Sequence, residues 1–288
     1  MKRIGFVGMA VLAALLMAGT ALGAASVQLG TAKSFAVLAG TTVTNTGSTT
    51  ITGDVGLHPG DAVTGFASVT LHGTRHLGDA VASGAKNALV GAYNDAAGAK
   101  PVTSVATELG GRTLKPGVYG SATLGLTGTL TLNGGGVYIF QAGSTLITAP
   151  GSRVRLINGA SACNVYWKVG SSATLGTTTS FKGTIMALTS ISLNSGVTLE
   201  GRALARNGAV TMIHDTINSS SCAAPSSTGT TKPSVGPTVT IAPTDTVAAT
   251  PSAVTDPVPA PVLVLLALGT IAFGFAVRYT ALRSRRRD

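Results

Sequence analysis

The residues of this 288-residue chain that bear on covalent or metal chemistry are four histidines, two cysteines and ten carboxylates. His58, His72, His76 and His214 have no cysteine or carboxylate cluster at metal-ligand spacing, and His72 and His76, four residues apart, are weak evidence alone. No two acids lie close enough in sequence to suggest general acid/base work. The glycines fall in turns rather than between a strand and a helix, where a phosphate loop would need them. The reading is therefore of a protein that is not an enzyme and needs no cofactor or metal. What remains is hydroxyl chemistry. Ser180, Thr198 and Thr216 recur 18 residues apart, and weak polar groups repeated on a rigid grid hold ordered water where one of them alone would not.

A grid needs an element that repeats. Residues 163 to 216 divide into three 18-residue lines, CNVYWKVGSSATLGTTTS, FKGTIMALTSISLNSGVT and LEGRALARNGAVTMIHDT. Read down the columns, Cys163, Phe181 and Leu199 share one position, Trp167, Ile185 and Ala203 another, and Val169, Ala187 and Ala205 a third. Three short strand-like runs per line, broken by Gly and Ser, describe a coil of a stacked β-solenoid, in which one rung cannot bury its apolar side alone. Alternation places Tyr166, Lys168, Lys182, Thr184, Met186, Glu200, Arg202 and Leu204 outward on the first run, a mixed and charged face. The second run points Ser172/Thr174, Ser190/Ser192 and Gly208/Val210 outward, and the third Thr178/Ser180, Gly196/Thr198 and His214/Thr216. Those two faces are uncharged and rich in small hydroxyls.

Residues 27 to 60 read as short strands of the same solenoid. Residues 79 to 97 change period: Val81, Ala85, Ala88, Leu89, Ala92 and Ala96 recur at helical spacing, with Asp79 as N-cap and Gly98 as stop, which predicts one helix lying along a wall of strands. Residues 103 to 117 form a connection. Val137 to Ser144 matches Val165 to Ser172 at a distance of 28, so this coil carries an insertion of about ten residues near Arg153 to Ser161.

The ends read differently. Residues 1 to 25 have Lys2 and Arg3, an apolar run and a small-residue site, the layout of a cleaved signal peptide, with an uncleaved anchor as the alternative. Residues 223 to 259 are a Pro/Ser/Thr/Ala-rich stalk, 260 to 278 an apolar stretch just long enough to cross a bilayer, and 279 to 288 a basic tail that belongs in the cytoplasm. The expected location is thus exported, single-pass in the cell membrane, with the domain 26 to 222 outside. The net charge of +10 comes largely from the two ends; the remaining Lys and Arg are scattered and aromatics are few, which excludes a nucleic-acid partner. Two cysteines in an oxidising compartment predict a Cys163–Cys222 disulfide, against the alternative that Cys163 is a small buried apolar residue.

Several stretches carry a resemblance. SFKGTIMALTSISLNSGVTLEGRALARNGAVTM resembles the closing segment of the microbial ice-binding (antifreeze) protein family. LGTAKSFAVLAGTTVTNTGSTTITGDVGLHPG is similar to that family's N-terminal section, DAVASGAKNALVGAYNDAAG to its helix and LKPGVYGSATLGLTGTLTLNGGGVYIFQAGSTL to its returning coils. The resemblance covers about residues 27 to 218. It implies a mainly β fold: a discontinuous right-handed β-solenoid of triangular section with one long α-helix alongside, the first segment packing on coils formed after the helix. The activity implied is adsorption of a flat face to ice, inhibiting growth or recrystallisation or attaching a cell to ice. The Thr-Ala/Gly-x-Thr/Asn pattern of some members is met in full by Thr46-Gly47-Ser48-Thr49 and in part by Thr177-Thr178-Thr179-Ser180 and Ser195-Gly196-Val197-Thr198. The candidate ice-binding residues are Thr46, Thr49, Thr178, Ser180, Ser195, Thr198 and Thr216, although His214 stands where a small residue is expected. The alternative is a structural or adhesive surface protein using the same scaffold for a cell-wall glycan or a neighbouring cell.

Overall fold

Short runs that alternate apolar and small residues, each closed by Gly, Ser or Asn, are too short to bury their own backbone and must pair with the next coil. A computed structural model describes residues 26 to 220. The signal peptide, the stalk, the apolar stretch at 260 to 278, the basic tail and Cys222 lie outside these residues. The N-terminal section supplies β1 (Phe35–Ala39), β2 (Thr42–Thr46), β3 (Thr49–Thr52), β4 (Asp54–Leu57), β5 (Ala62–Thr64), β6 (Val69–His72) and β7 (Arg75–Leu77). Helix α1 (Ala80–Gly98) follows. Next come β8 (Val102–Ser104), β9 (Thr113–Leu114), β10 (Gly117–Ser121), β11 (Leu124–Leu126), β12 (Thr129–Asn133), β13 (Tyr138–Ala142), β14 (Leu146–Thr148) and β15 (Arg153–Ile157). The last are β16 (Val165–Val169), β17 (Ala173–Leu175), β18 (Ser180–Ala187), β19 (Ile191–Leu193), β20 (Thr198–Ala205), β21 (Val210–Ile213) and β22 (Thr216–Asn218).

All named ladders are parallel and they build three faces. The first runs β8-β10-β13-β16-β18-β20-β1-β4-β7 and the second β11-β14-β17-β19-β21-β2-β5. The third runs β9-β12-β15-β18-β20-β22-β3-β6. The expected discontinuity is present on every face, since β1, β2 and β3 join the stack beside β20, β21 and β22, the last strands made. The eight-residue strands β18 and β20 serve two faces, bending at Gly183 (φ 109°) and Gly201 (φ 146°). A Cβ on Gly201 would meet the Gly183 carbonyl oxygen at 2.0 Å, so only glycine fits that corner.

This bend corrects the reading of the first run as one face. Lys182 and Glu200 stand on the third face with Ser180 and Thr198, whereas Thr184, Met186, Arg202 and Leu204 stand on the first. Nor is the first face an open charged surface. Tyr166, Thr184, Met186, Arg202 and Leu204 are all buried, because α1 and the segment Val27 to Ala32 lie over them. The helix reaches about 28 Å, enough to cross about six strands. Its inward stripe is Ala82, Ala85, Lys86, Leu89, Ala92, Tyr93 and Ala96, so Val81, placed in the stripe from sequence, is instead 50% exposed. Asp79 caps the helix as expected, accepting from the Ala82 amide at 2.7 Å. Lys86 donates to the Ala205 carbonyl at 2.6 Å and also to that of Arg206, and the Tyr93 hydroxyl donates to the Val169 carbonyl at 3.1 Å.

Inside the coils, Tyr119, Phe140, Trp167 and Phe181 stack with ring centroids 5.5, 4.1 and 4.8 Å apart. The register that aligns them pairs Tyr138 with Val165 and Phe140 with Trp167, an offset of 27 where the sequence match gave 28. Residues 103 to 117 are also more than a connection, since they hold parts of β8, β9 and β10. Cys163 does not share the inward column of Phe181 and Leu199. It lies half-buried in a 3-10 turn, Ala162–Asn164, and no cysteine among the described residues is free.

Candidate functional site

The helix covers the first face, so the second and third are the ones open to solvent. On the second, the inward column is Leu124, Leu146, Ala173, Ile191, Val210 and Val43. The outward column beside it is Gly125, Ile147, Thr174, Ser192, Thr211, Thr44 and Thr64, in unbroken register. None of the seven strands contains a charged residue. Five consecutive strands thus present a hydroxyl at the same point, about 4.8 Å from one rung to the next. None of these five hydroxyls hydrogen-bonds within the described residues, which leaves them to water. Ser172 and Ser190 form a second row, each accepting from the next rung (the Ser190 amide at 3.3 Å and the Ala209 amide at 3.2 Å) and keeping its own proton for solvent. Ile147, 54% exposed, adds an apolar group to the same plane. Glu108 lies on the terminal rung beside Gly125. Its carboxylate is engaged by the amides of Gly110 and Thr127 and by the Thr127 hydroxyl.

The coil that completes this face departs from the 18-residue period. Ile191 pairs with Val210, an offset of 19, while Ala187–Ala205 and Thr198–Thr216 on either side keep 18. The extra residue sits in the turn before β21 and one fewer sits after it. Val210, read from sequence as outward, is therefore buried, and Thr211 takes the outward place.

The third face carries the column Arg153, Ser180, Thr198, Thr216, Thr50 and Thr70. The predicted three-rung column is real and continues for two more threonines. Beside it runs Lys182, Glu200, Asn218, Thr52 and His72, so this face is only in part uncharged. Lys182 and Glu200 form an ion pair across it.

The other candidates fall at the edge between the two faces. Thr46 ends β2 and Ser195 precedes its turn, both exposed, while Thr178 is the turn itself at φ 56°. Gly196, His214 and Gly47 take the same left-handed conformation on successive rungs, at φ 80°, 53° and 74°. The Thr-Gly-x-Thr pattern therefore marks a corner, with its first residue on one side and its last on the other. Thr49 departs from this: it is 1% exposed and its Oγ1 accepts from the Asp215 amide at 3.1 Å. The turn at Gly47 is one residue longer, and Thr50 occupies the outward position. Thr49 is a buried structural residue, not a surface contact.

Among the described residues no group of three or more His, Cys, Asp or Glu side chains is placed to hold a metal ion. His76 bonds to the helix cap, its Nδ1 lying 2.8 Å from Asp79 Oδ2.

The family model described as Ice-binding-like matches residues 37–218. An ice-binding protein of Nostoc sp. (strain HG1) is 49% identical over 197 residues, covering 66% of this chain and 73% of that protein. One from Colwellia sp. is 38% identical over 218 residues, covering 69% and 85%. Among solved structures, an ice-binding protein from an Antarctic biological consortium superposes with a TM-score of 0.66 at 50% identity, over 67% of this chain and 91% of that one. The ice-binding protein of the Antarctic ascomycete Antarctomyces psychrotrophicus gives 0.65 at 37% identity, over 67% and 98%.

Proposed function

Because the chain belongs to the ice-binding-like family, we propose that it adsorbs to ice through its second face and inhibits ice growth or recrystallisation without catalysing a reaction. The observation that carries the choice of face is the uncharged column Thr174, Ser192, Thr211, Thr44 and Thr64, whose hydroxyls have no partner among the described residues. Ammonium and carboxylate groups orient water around themselves, so an ordered layer forms more readily over hydroxyls and methyls on a fixed grid. Each contact is weak, and adsorption needs many of them in one plane.

The right-handed, triangular winding implied by the family belongs to the same reading. So do a cleaved leader at 1 to 25, a Cys163–Cys222 disulfide, and a cell-surface location in which residues 223 to 259 hold the domain away from a membrane segment at 260 to 278. A domain so placed would attach its cell to ice as well as restrain crystals.

The test is ice recrystallisation and thermal hysteresis on a fragment, residues 26 to 223, beside Ser192→Tyr, Thr211→Tyr and Thr198→Tyr. Loss of at least tenfold in activity is expected for the first two, with circular dichroism unchanged, and little loss for Thr198→Tyr. The reverse order would move the working surface to the third face; a folded but inert parent would end the ice reading.

A further inference from the structure

The third face opens between two of its strands. β12 and β15 pair over five residues and β18 and β20 over eight, but β15 and β18 meet only at Arg153 and Ser180. Beyond that point they part, since the chain leaving β15 must pass through the turn Ala162–Asn164 before it can start β16. The parting leaves a shallow cleft of about 420 Å3, walled by Arg153, Arg155, Lys182 and Glu200 over Val154 and Leu156. Arg153 and Arg155 are exposed and alternate on the same side of β15, about 6.8 Å apart. Neither makes an ion pair among the described residues, whereas Lys182 is paired with Glu200.

Two unneutralised guanidinium groups over an apolar floor suit a ligand with repeated carboxylates on a ring that has an apolar side, since each guanidinium donates two parallel hydrogen bonds to one carboxylate. We infer that this cleft binds an anionic polysaccharide built from uronate sugars, on a face separate from the one assigned to ice. No large aromatic side chain is exposed among the described residues. A neutral glycan therefore has no ring to stack on, and a single-stranded nucleic acid has none for its bases. Glu200, at the rim, opposes the ligand and sets an upper limit on its affinity.

The experiment is isothermal titration of the intact chain in mild detergent with polygalacturonate oligomers, with dextran oligomers and a DNA fragment as comparison. Binding to polygalacturonate and not to dextran is expected. The double variant Arg153→Gln/Arg155→Gln should weaken it at least tenfold and leave recrystallisation inhibition unchanged, and Glu200→Gln should strengthen it two- to threefold. These are surface changes, so far-ultraviolet circular dichroism should match the parent. No binding to polygalacturonate, equal binding by the double variant, or equal affinity for the DNA fragment overturns the inference.

Discussion

Asp215 is a carboxylate placed where the coil turns from the second face to the third, 1% exposed and without a counter-ion among the described residues. It accepts from the Val197 amide at 2.8 Å and the Ile213 amide at 2.7 Å. Burial pushes its carboxyl up from 3.8 to about 7, although those two bonds pull it down. The folded protein therefore holds this proton more tightly than the unfolded chain. The stability gained is full below 3.8 and is lost as the pH rises through about 7. Asp215→Asn does not titrate, so the parent's unfolding midpoint should fall relative to the variant's as the pH rises across that window; parallel curves would rule this account out. Asp215 also illustrates the limit of reading residues one at a time. The columns Ser180, Thr198 and Thr216 were legible because an 18-residue period holds there. Thr49 and Val210 were misplaced because turns one residue longer precede Thr50 and Thr211, and nothing in the strands announces the extra residue.

Helix α1 was legible from its spacing and its cap, and what it covers was not. Tyr166, Met186, Arg202 and Leu204 alternate with core residues as any solvent face does, and only the packed structure identifies them as the wall against which the helix lies. Arg202, 2% exposed, looks like a surface residue in sequence, yet its Nε donates to the Lys33 carbonyl at 2.9 Å. Leu89 is fully buried between the helix and this wall, in the apolar cluster that the two share. Leu89→Ala should destabilise the protein by roughly 3 kcal/mol through the cavity it leaves. Chemical denaturation measures this, and a loss below roughly 1 kcal/mol would mean that the helix is not held by that contact.

For the whole molecule, the decisive feature is the order of assembly. Residues 27 to 77 are made first and find their partners, β20 to β22, last in the sequence, so the ladders that close the stack join residues more than 160 apart. The repeat at 163 to 216 made a solenoid readable; the break in it was readable only by likeness to a family, because local periodicity carries no record of which coil follows which. Deleting residues 26 to 77 should not yield a shorter solenoid. It bares the edges of β20, β21 and β22 and uncovers part of the helix wall, and such edges pair with other chains. Size-exclusion chromatography should show aggregate, and a soluble folded monomer would contradict this.

The position of β22 has a mechanical meaning. It lies between β20 and β3, bonded along both sides, and the chain leaves the described fold just beyond it at Ser220. A load drawn along the axis of β22 cannot peel it bond by bond as it would an outer strand. It must shear two rows at once, so a tether attached there pulls on a member gripped from both sides.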